Sequence, residues 1–209
     1  MAPQLEARLG EGLVELGQRR SKVEIRLLIQ YLLLLSRWNK AFNLTAIKHP
    51  ETMLTRHLLD SLAMAPYLSG EKFLDVGTGA GLPGVPLAIV NPHREFDLLD
   101  SNGKKIRFLF QVRTQLGLKN VQEVQQRVEE RTVSPGYEGI LSRAFSSLVD
   151  MVQSTQHLLA SGGKYYAMKG KVPHAELKVL PKGYIVEAVV KLVVPRLDEE
   201  RHLIVIEKK

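Results

Sequence analysis

Apolar positions in the first seventy residues recur at helical rather than strand spacing. Ser21-Lys22-Val23-Glu24 has capping-box spacing, and the mostly apolar stretch behind it predicts a helix running to about Trp38. A second helix is predicted over residues 51–65, ending before Pro66. From residue 72 the texture changes. Short apolar runs at 72–76, 96–99, 121–124, 139–142 and 164–168 alternate with amphipathic segments. The clearest of these segments, 104–116, places Ile106, Leu109, Val112 and Leu116 on one face and has Gly117 as a stop. Strands separated by helices predict parallel βαβ units and a doubly wound α/β sheet. The tail differs, with β-rich runs at 184–194 and 202–207 split by a turn containing Pro195 and Asp198, which predicts a closing antiparallel hairpin. The expected organisation is a helical N-terminal extension over residues 1–70 and one α/β domain over 71–209.

Composition narrows the function classes. Of 209 residues, 44% are hydrophobic and 24% charged, enough for a sizeable core in one domain. Lys and Arg number 29 against 22 Asp and Glu, and the resulting +7 favours polyanionic partners. The chain has no cysteine, which excludes disulfides, thiolate metal sites and cysteine nucleophiles. Its 6 histidines lack H-x-x-x-H spacing, so no metal site is expected. The N-terminus has no signal-peptide core. The greasiest run, residues 27–35, is broken by Gln30 and falls far short of the roughly 20 residues of a membrane span. A cytoplasmic protein without membrane association is expected, with a monomer as the plain default.

The chemistry concentrates in residues 73–84, Phe-Leu-Asp-Val-Gly-Thr-Gly-Ala-Gly-Leu-Pro-Gly. A short strand ends in an acid, and glycines on alternate positions then open a helix. Glycine allows backbone angles and close approach that a Cβ forbids, and a helix start offers unpaired N–H groups. A nucleotide-like ligand can lie against such a turn. The stretch from Gly79 to Gly84 formally satisfies G-x-G-x-x-G, the dinucleotide fingerprint. Asp75 shifts the balance, because a carboxylate there suits a cationic or amine-bearing ligand and would repel a pyrophosphate. Asp100, at the end of the second strand, can accept hydrogen bonds from both ribose hydroxyls of an adenosine and so serves either ligand class. A plain tight turn would also account for the glycines, and a helix cap for Asp100 or Ser101.

These residues carry a resemblance. Asp75-Val-Gly-Thr-Gly-Ala-Gly81 resembles the first motif of class I S-adenosylmethionine-dependent methyltransferases, and Asp100 matches their ribose-binding acid. Four further groups of residues, Trp38 to Thr45, Arg56 to Ser61, Asp100 to Lys105 and Gln126 to Glu130, resemble one family closely. Ser142-Arg143-Ala144, Met168-Lys169-Gly170 and the ending from Arg201 to Lys208 extend the likeness essentially end to end. The family is that of the small-subunit ribosomal RNA guanine-N7 methyltransferases (RsmG, or glucose-inhibited division protein B). Carried over position by position, the resemblance implies S-adenosylmethionine contacts at Asp75, Gly77, Gly79 and Leu82, at Asp100, at Val128 and Glu129 near the adenine, and at Arg143. It implies a class I, Rossmann-like fold and a guanine in the decoding-region loop of 16S rRNA, within the small ribosomal subunit, as the methyl acceptor.

Guanine N7 carries an in-plane lone pair and no proton, so its methylation needs no general base. No catalytic acid or base is therefore expected, and the enzyme should act by aligning nucleophile, methyl and sulfonium. N7 faces the deep, narrow major groove of A-form RNA, so the target should be a splayed loop base. Arg127, Arg143 and Lys169 fall near carboxyl ends of strands, where such sheets bind ligands, and Arg127 and Lys169 are the predicted RNA contacts. Lys104, Lys105, Arg107 and Arg113 make one helix basic, a pattern that a solvated face would equally give. Arg143 would serve as readily in a structural salt bridge, and His57 reads as a core histidine rather than an acid–base group. Trp38 and Phe42, four apart, suit helix packing better than base stacking. Two rivals stand beside this reading: an NAD-dependent oxidoreductase, and a non-enzymatic ribosome-assembly factor on a methyltransferase fold.

Overall fold

The computed structural model describes residues 2–143, 145 and 147–209. Its first helix, α1 (Ala2–Glu15), buries Leu5, Leu9 and Leu13, one per turn along one face. The second, α2 (Lys22–Phe42), opens on the predicted capping box: the Ser21 hydroxyl accepts the Glu24 N–H at 3.2 Å, and the Glu24 carboxylate accepts the Ser21 N–H at 2.8 Å. It runs four residues beyond the expected end, until Asn43 turns left-handed with φ of 48°. Asparagine tolerates that conformation better than most side chains, so the stop is set by Asn43 rather than by loss of apolar periodicity.

The next helical run is irregular. A turn of α-helix, α3 (Pro50–Met53), leads into a π-helical segment (Leu54–Leu59) and then α4 (Asp60–Leu62). A short 3-10 turn (Ala65–Tyr67) surrounds Pro66, so the run predicted to 65 ends three residues early. π segments are rare and frequent at functional sites. This one carries Arg56 and His57.

The sheet has seven strands: β1 (Lys72–Val76), β2 (Glu95–Asp100), β3 (Val121–Gln125), β4 (Tyr137–Ser142), β5 (Leu159–Lys169), β6 (Tyr184–Lys191) and β7 (His202–Lys208), in the order β3-β2-β1-β4-β5-β7-β6. The first five pair in parallel, while β7 runs antiparallel to both β5 and β6, which is the predicted closing hairpin. Period-two alternation assigns the faces. Phe73, Phe96, Leu98, Leu141 and Tyr166 point into a core shared with α1, α2, α5 (Gly84–Val90) and α6 (Gly103–Leu116). Leu74, Leu99, Ile140 and Tyr165 face the opposite core, with α7 (Leu148–Thr155). A last helix, α8 (His174–Lys178), adds Leu177 to that second core. Strand order reverses between β1 and β4, and the crevice beyond their carboxyl ends is where an open α/β sheet takes ligands.

Candidate active site

The loop after β1 holds three left-handed glycines: Gly77 (φ 65°), Gly79 (φ 61°) and Gly81 (φ 92°). Glycine takes these angles without the strain a Cβ brings, and a Cβ at Gly81 would also press to 2.5 Å from Val85. At Gly77 a Cβ would meet nothing within 4 Å, so that residue faces open space. Several of the loop's N–H groups are taken by acceptors in the loop, in β1 and in β2. Thr78 donates to the Leu99 carbonyl, Gly81 and Leu82 to that of Thr78, and Val85 to that of Gly81. Gly79 donates to Asp100 at 3.1 Å and Gly84 to Asp75 at 2.8 Å. The unpaired N–H groups expected at the helix start are thus absent at Gly84, because Asp75 takes that donor. A pyrophosphate site needs such donors free. With the Gly79 and Gly84 donors given to carboxylates, the loop suits a cationic ligand better than a pyrophosphate.

Asp75 is fully buried, and its Oδ2 also accepts the Thr78 hydroxyl at 2.6 Å. Its Oδ1 is buried without a hydrogen-bond partner. Burial pushes its pKa up to about 6, against the opposing pull of the Thr78 and Gly84 hydrogen bonds and of Arg143. A carboxylate left half satisfied in this way is short of positive charge, which the ammonium and sulfonium of S-adenosylmethionine would supply. Asp100 lines a cleft with Gly77, Arg127, Val128 and Glu129. Its Oδ1 accepts the Asn102 N–H (2.9 Å) and its Oδ2 the Lys105 ammonium (3.1 Å), besides the Gly79 N–H. Two carboxylate oxygens offer about four acceptor sites, so one remains open to a ribose hydroxyl and Lys105 guards another. Val128 and Glu129 lie on a 3-10 turn after β3, and Arg127 is exposed before it. Leu82 is buried in the core behind the loop.

Tyr31, on α2, is fully buried and donates its hydroxyl to the Ala80 carbonyl at 2.8 Å. The N-terminal helix therefore grips the glycine loop directly. Nothing in the apolar pattern of α2 singles out this tyrosine.

Arg143 stands apart from the Asp100 cleft. It lines a second cavity with Arg56, His57, Asp60, Lys169 and Arg201, beyond the ends of β4 and β5. Asp60 is nearly buried and accepts from Arg143 (3.4 Å) and Arg201 (3.0 Å). Its carboxyl is raised by burial against the pull of those two guanidinium groups. His57 is held neutral: Nδ1–H donates to the Arg56 carbonyl (3.0 Å) and Nε2 accepts the Thr45 hydroxyl (2.9 Å). Burial first, then the neighbouring Arg143, lowers its pKa to about 4. Asn39 fixes the same corner, accepting the Thr45 N–H and donating to the Ile47 carbonyl. Lys169 pairs with Glu176 at 3.2 Å. Ala144, the last residue of the Ser142 motif, lies outside the described residues.

The basic helix α6 divides. Arg113 pairs with Glu123 and Lys105 with Asp100, while Lys104 and Arg107 are exposed. Trp38 packs on Phe108 and Phe42, as its helical spacing predicts. Sequence reading missed Arg56, Asp60 and Arg201 as cavity residues.

The whole arrangement has known counterparts. A family model described as rRNA small subunit methyltransferase G matches residues 24–204. Curated proteins named ribosomal RNA small subunit methyltransferase G, from Escherichia coli and Shigella boydii, are 56% identical over 179 residues, which is 86% of this chain and 86% of theirs. Among solved structures, a SAM-dependent methyltransferase from Aquifex aeolicus superposes with a TM-score of 0.56 at 16% identity, covering 72% of this chain and 89% of that one. A SAM-dependent methyltransferase from Thiobacillus denitrificans, solved in complex with S-adenosyl-L-homocysteine, gives 0.53 at 13%, covering 72% and 90%. TrmN from Thermus thermophilus gives 0.57 at 19%, covering 75% of this chain and 53% of that longer one. At such identities the structures speak for the fold alone, and that fold is the class I methyltransferase sheet.

Proposed function

This chain belongs to the rRNA small subunit methyltransferase G family, and from that premise we propose that it methylates N7 of a guanine in the decoding-region loop of 16S rRNA. The methyl donor is S-adenosylmethionine, which supplies an electrophilic methyl on a sulfonium. The observation that carries the reading is the presence of two unlike sites at the strand ends. One is an acidic glycine-loop cleft without a phosphate cradle, and the other is a cavity lined by four cations.

The chain's own residues divide the work. Asp75 answers positive charge on the donor, Asp100 accepts from its ribose, and Val128 and Glu129 flank the adenine. Gly77, Gly79 and Leu82 shape the floor against which it lies. Arg143 lines the cationic cavity with Lys169, and its charge favours the ionised form of Asp75. Lys169 and Arg127 hold phosphate or base edges of the RNA. No side chain needs to remove a proton, since N7 has none. The gain comes from alignment of nucleophile, methyl and leaving group, and from fixed acceptors near a ring that becomes cationic. His57, neutral and hydrogen-bonded at both nitrogens, holds the cavity wall rather than moving protons. Residues 1–70 act as a helical extension on the methyltransferase domain of 71–209. The substrate places the protein in the cytoplasm, acting as a monomer on small subunits or their precursors.

The test is transfer of labelled methyl from S-adenosylmethionine to small subunits from a strain lacking this gene, mapped by nucleotide. Binding of subunits with no affinity for S-adenosylhomocysteine would favour an assembly factor instead.

A further inference from the structure

One carboxylate pairs with two of the arginines that line the cationic cavity, although it does not line that cavity itself. Glu199, on the connection between β6 and β7, accepts from Arg56 through Oε1 and from Arg201 through Oε2 (2.9 Å to Arg201). The two guanidinium groups come from different parts of the chain, Arg56 from the π segment and Arg201 from the foot of β7. Arg201 is anchored from inside, donating through Nε to the nearly buried Asp60. Glu199 itself is about half exposed at 47%, with exposed Asp198 and Glu200 on either side. An ion pair this open to water contributes little to folding. Its arrangement suits recognition better: two oxygens of one anion, each met by a separate guanidinium, is the geometry with which arginines hold a phosphodiester.

We propose that Arg56 and Arg201 form a backbone-phosphate subsite for the RNA strand beside the target nucleotide, and that Glu199 occupies it as an intramolecular stand-in until RNA displaces it. The proposal rests on the reading of this cavity as the RNA site and adds to it a subsite distinct from Arg127 and Lys169. Glu199 keeps the two guanidinium groups pointed and apart when no RNA is bound, and it screens the cavity from smaller anions. An arriving strand brings a stronger, multiply held anion, and the three-acid connection swings away from its charge.

The test compares wild type, Glu199→Gln and Arg56→Gln for equilibrium binding to unmethylated small subunits across a salt series, with S-adenosylhomocysteine affinity and thermal melting as controls. Glu199→Gln should bind subunits about two- to fivefold more tightly at low salt, an advantage that fades as salt rises. Arg56→Gln should bind more weakly, with a log–log salt slope shallower by about 0.7, the value for one single-strand phosphate contact. Both variants should keep wild-type cofactor affinity. Subunit binding unchanged or weakened in Glu199→Gln would overturn the proposal by making Glu199 a plain structural clamp. An unchanged salt slope in Arg56→Gln would overturn it equally. If wild type transfers methyl groups while these results fail, the subsite falls alone; if wild type neither binds nor methylates subunits, the RNA reading falls with it.

Discussion

One oxygen of Asp75 is buried without a hydrogen-bond partner, and in the role proposed for it the protonation of this carboxyl decides how well it answers a cationic ligand. Its pKa of about 6 means that the unliganded protein holds it ionised at pH 7.5 and largely protonated at pH 5. Cofactor affinity should therefore be flat above pH 6 and fall by up to about tenfold per unit below it, measured by calorimetry with S-adenosylhomocysteine. Asp75→Asn should abolish that dependence. Asp100→Asn removes a charged acceptor, and a loss of about ten- to hundredfold in affinity is expected, from roughly 1.5–3 kcal/mol per charged hydrogen bond. His57 titrates the other way in stability. Its folded pKa, about 4, lies below its unfolded value of 6.5, so its contribution is lost as pH falls through that window. The raised pKa of Asp75 contributes in the opposite sense, favouring the fold in acid and losing that contribution as pH rises towards 6. The two act in opposite directions, and the raised carboxyl of Asp60 acts in the same sense as Asp75. In Asp75→Asn, denaturant titrations between pH 6.5 and 4 should show a steeper loss of stability than in wild type. The sequence already marked Asp75 and Asp100, because an acid at a strand end beside glycines has few other uses. It could not show that Asp75 spends one oxygen on Thr78 and Gly84 and leaves the other bare.

At the scale of elements, the glycine loop is held from two sides, by its own turn and by α2. Gly81→Ala combines a positive φ with a clash against Val85, two independent penalties. A thermally weakened protein without measurable cofactor binding is the expected result. Tyr31→Phe is subtler: it leaves the Ala80 carbonyl buried and unpaired, costing about 1–3 kcal/mol of stability and loosening the loop. An unchanged melting temperature and cofactor affinity in Tyr31→Phe would show that α2 merely covers the loop. The strands were legible because each is a short apolar run between breakers, and β1 occupies the residues its pattern predicts. β5 starts five residues before the predicted run because Leu159 already pairs with Tyr137 of β4, while Ser161-Gly162-Gly163, which carry no apolar signal, fall in the register shift before Lys164 pairs with Gly139. The π segment left no sequence trace at all. Its apolar residues satisfy a helical period nearly as well as an α-helix would.

Across the whole molecule, the cationic cavity is assembled from distant parts. Arg201 meets Asp60 across 141 positions and Arg143 meets it across 83, brought together by the β5–β7 pairing and by docking of the helical run on the sheet. Local patterns carry no record of such meetings, which is why Arg56 and Arg201, though they stand in motifs that carry the family resemblance, were given no site role, and why Arg143 was expected at the cofactor rather than in this cavity. The same long-range packing ties the N-terminal helices to the sheet through one continuous core containing Leu9, Leu59 and Phe73. Leu9→Ala should therefore cost about 2–5 kcal/mol and lower a single unfolding transition rather than melt α1 separately. Two transitions by calorimetry would mean that the extension folds independently. The central claim concerns the acceptor, and it is tested most directly by incubating the protein with methyl-labelled S-adenosylmethionine and small subunits from a strain lacking this gene, then mapping label by nucleotide. Label confined to N7 of one guanine in the decoding-region loop is the predicted result. Label on another atom or another RNA, or none at all despite tight cofactor binding, would contradict it.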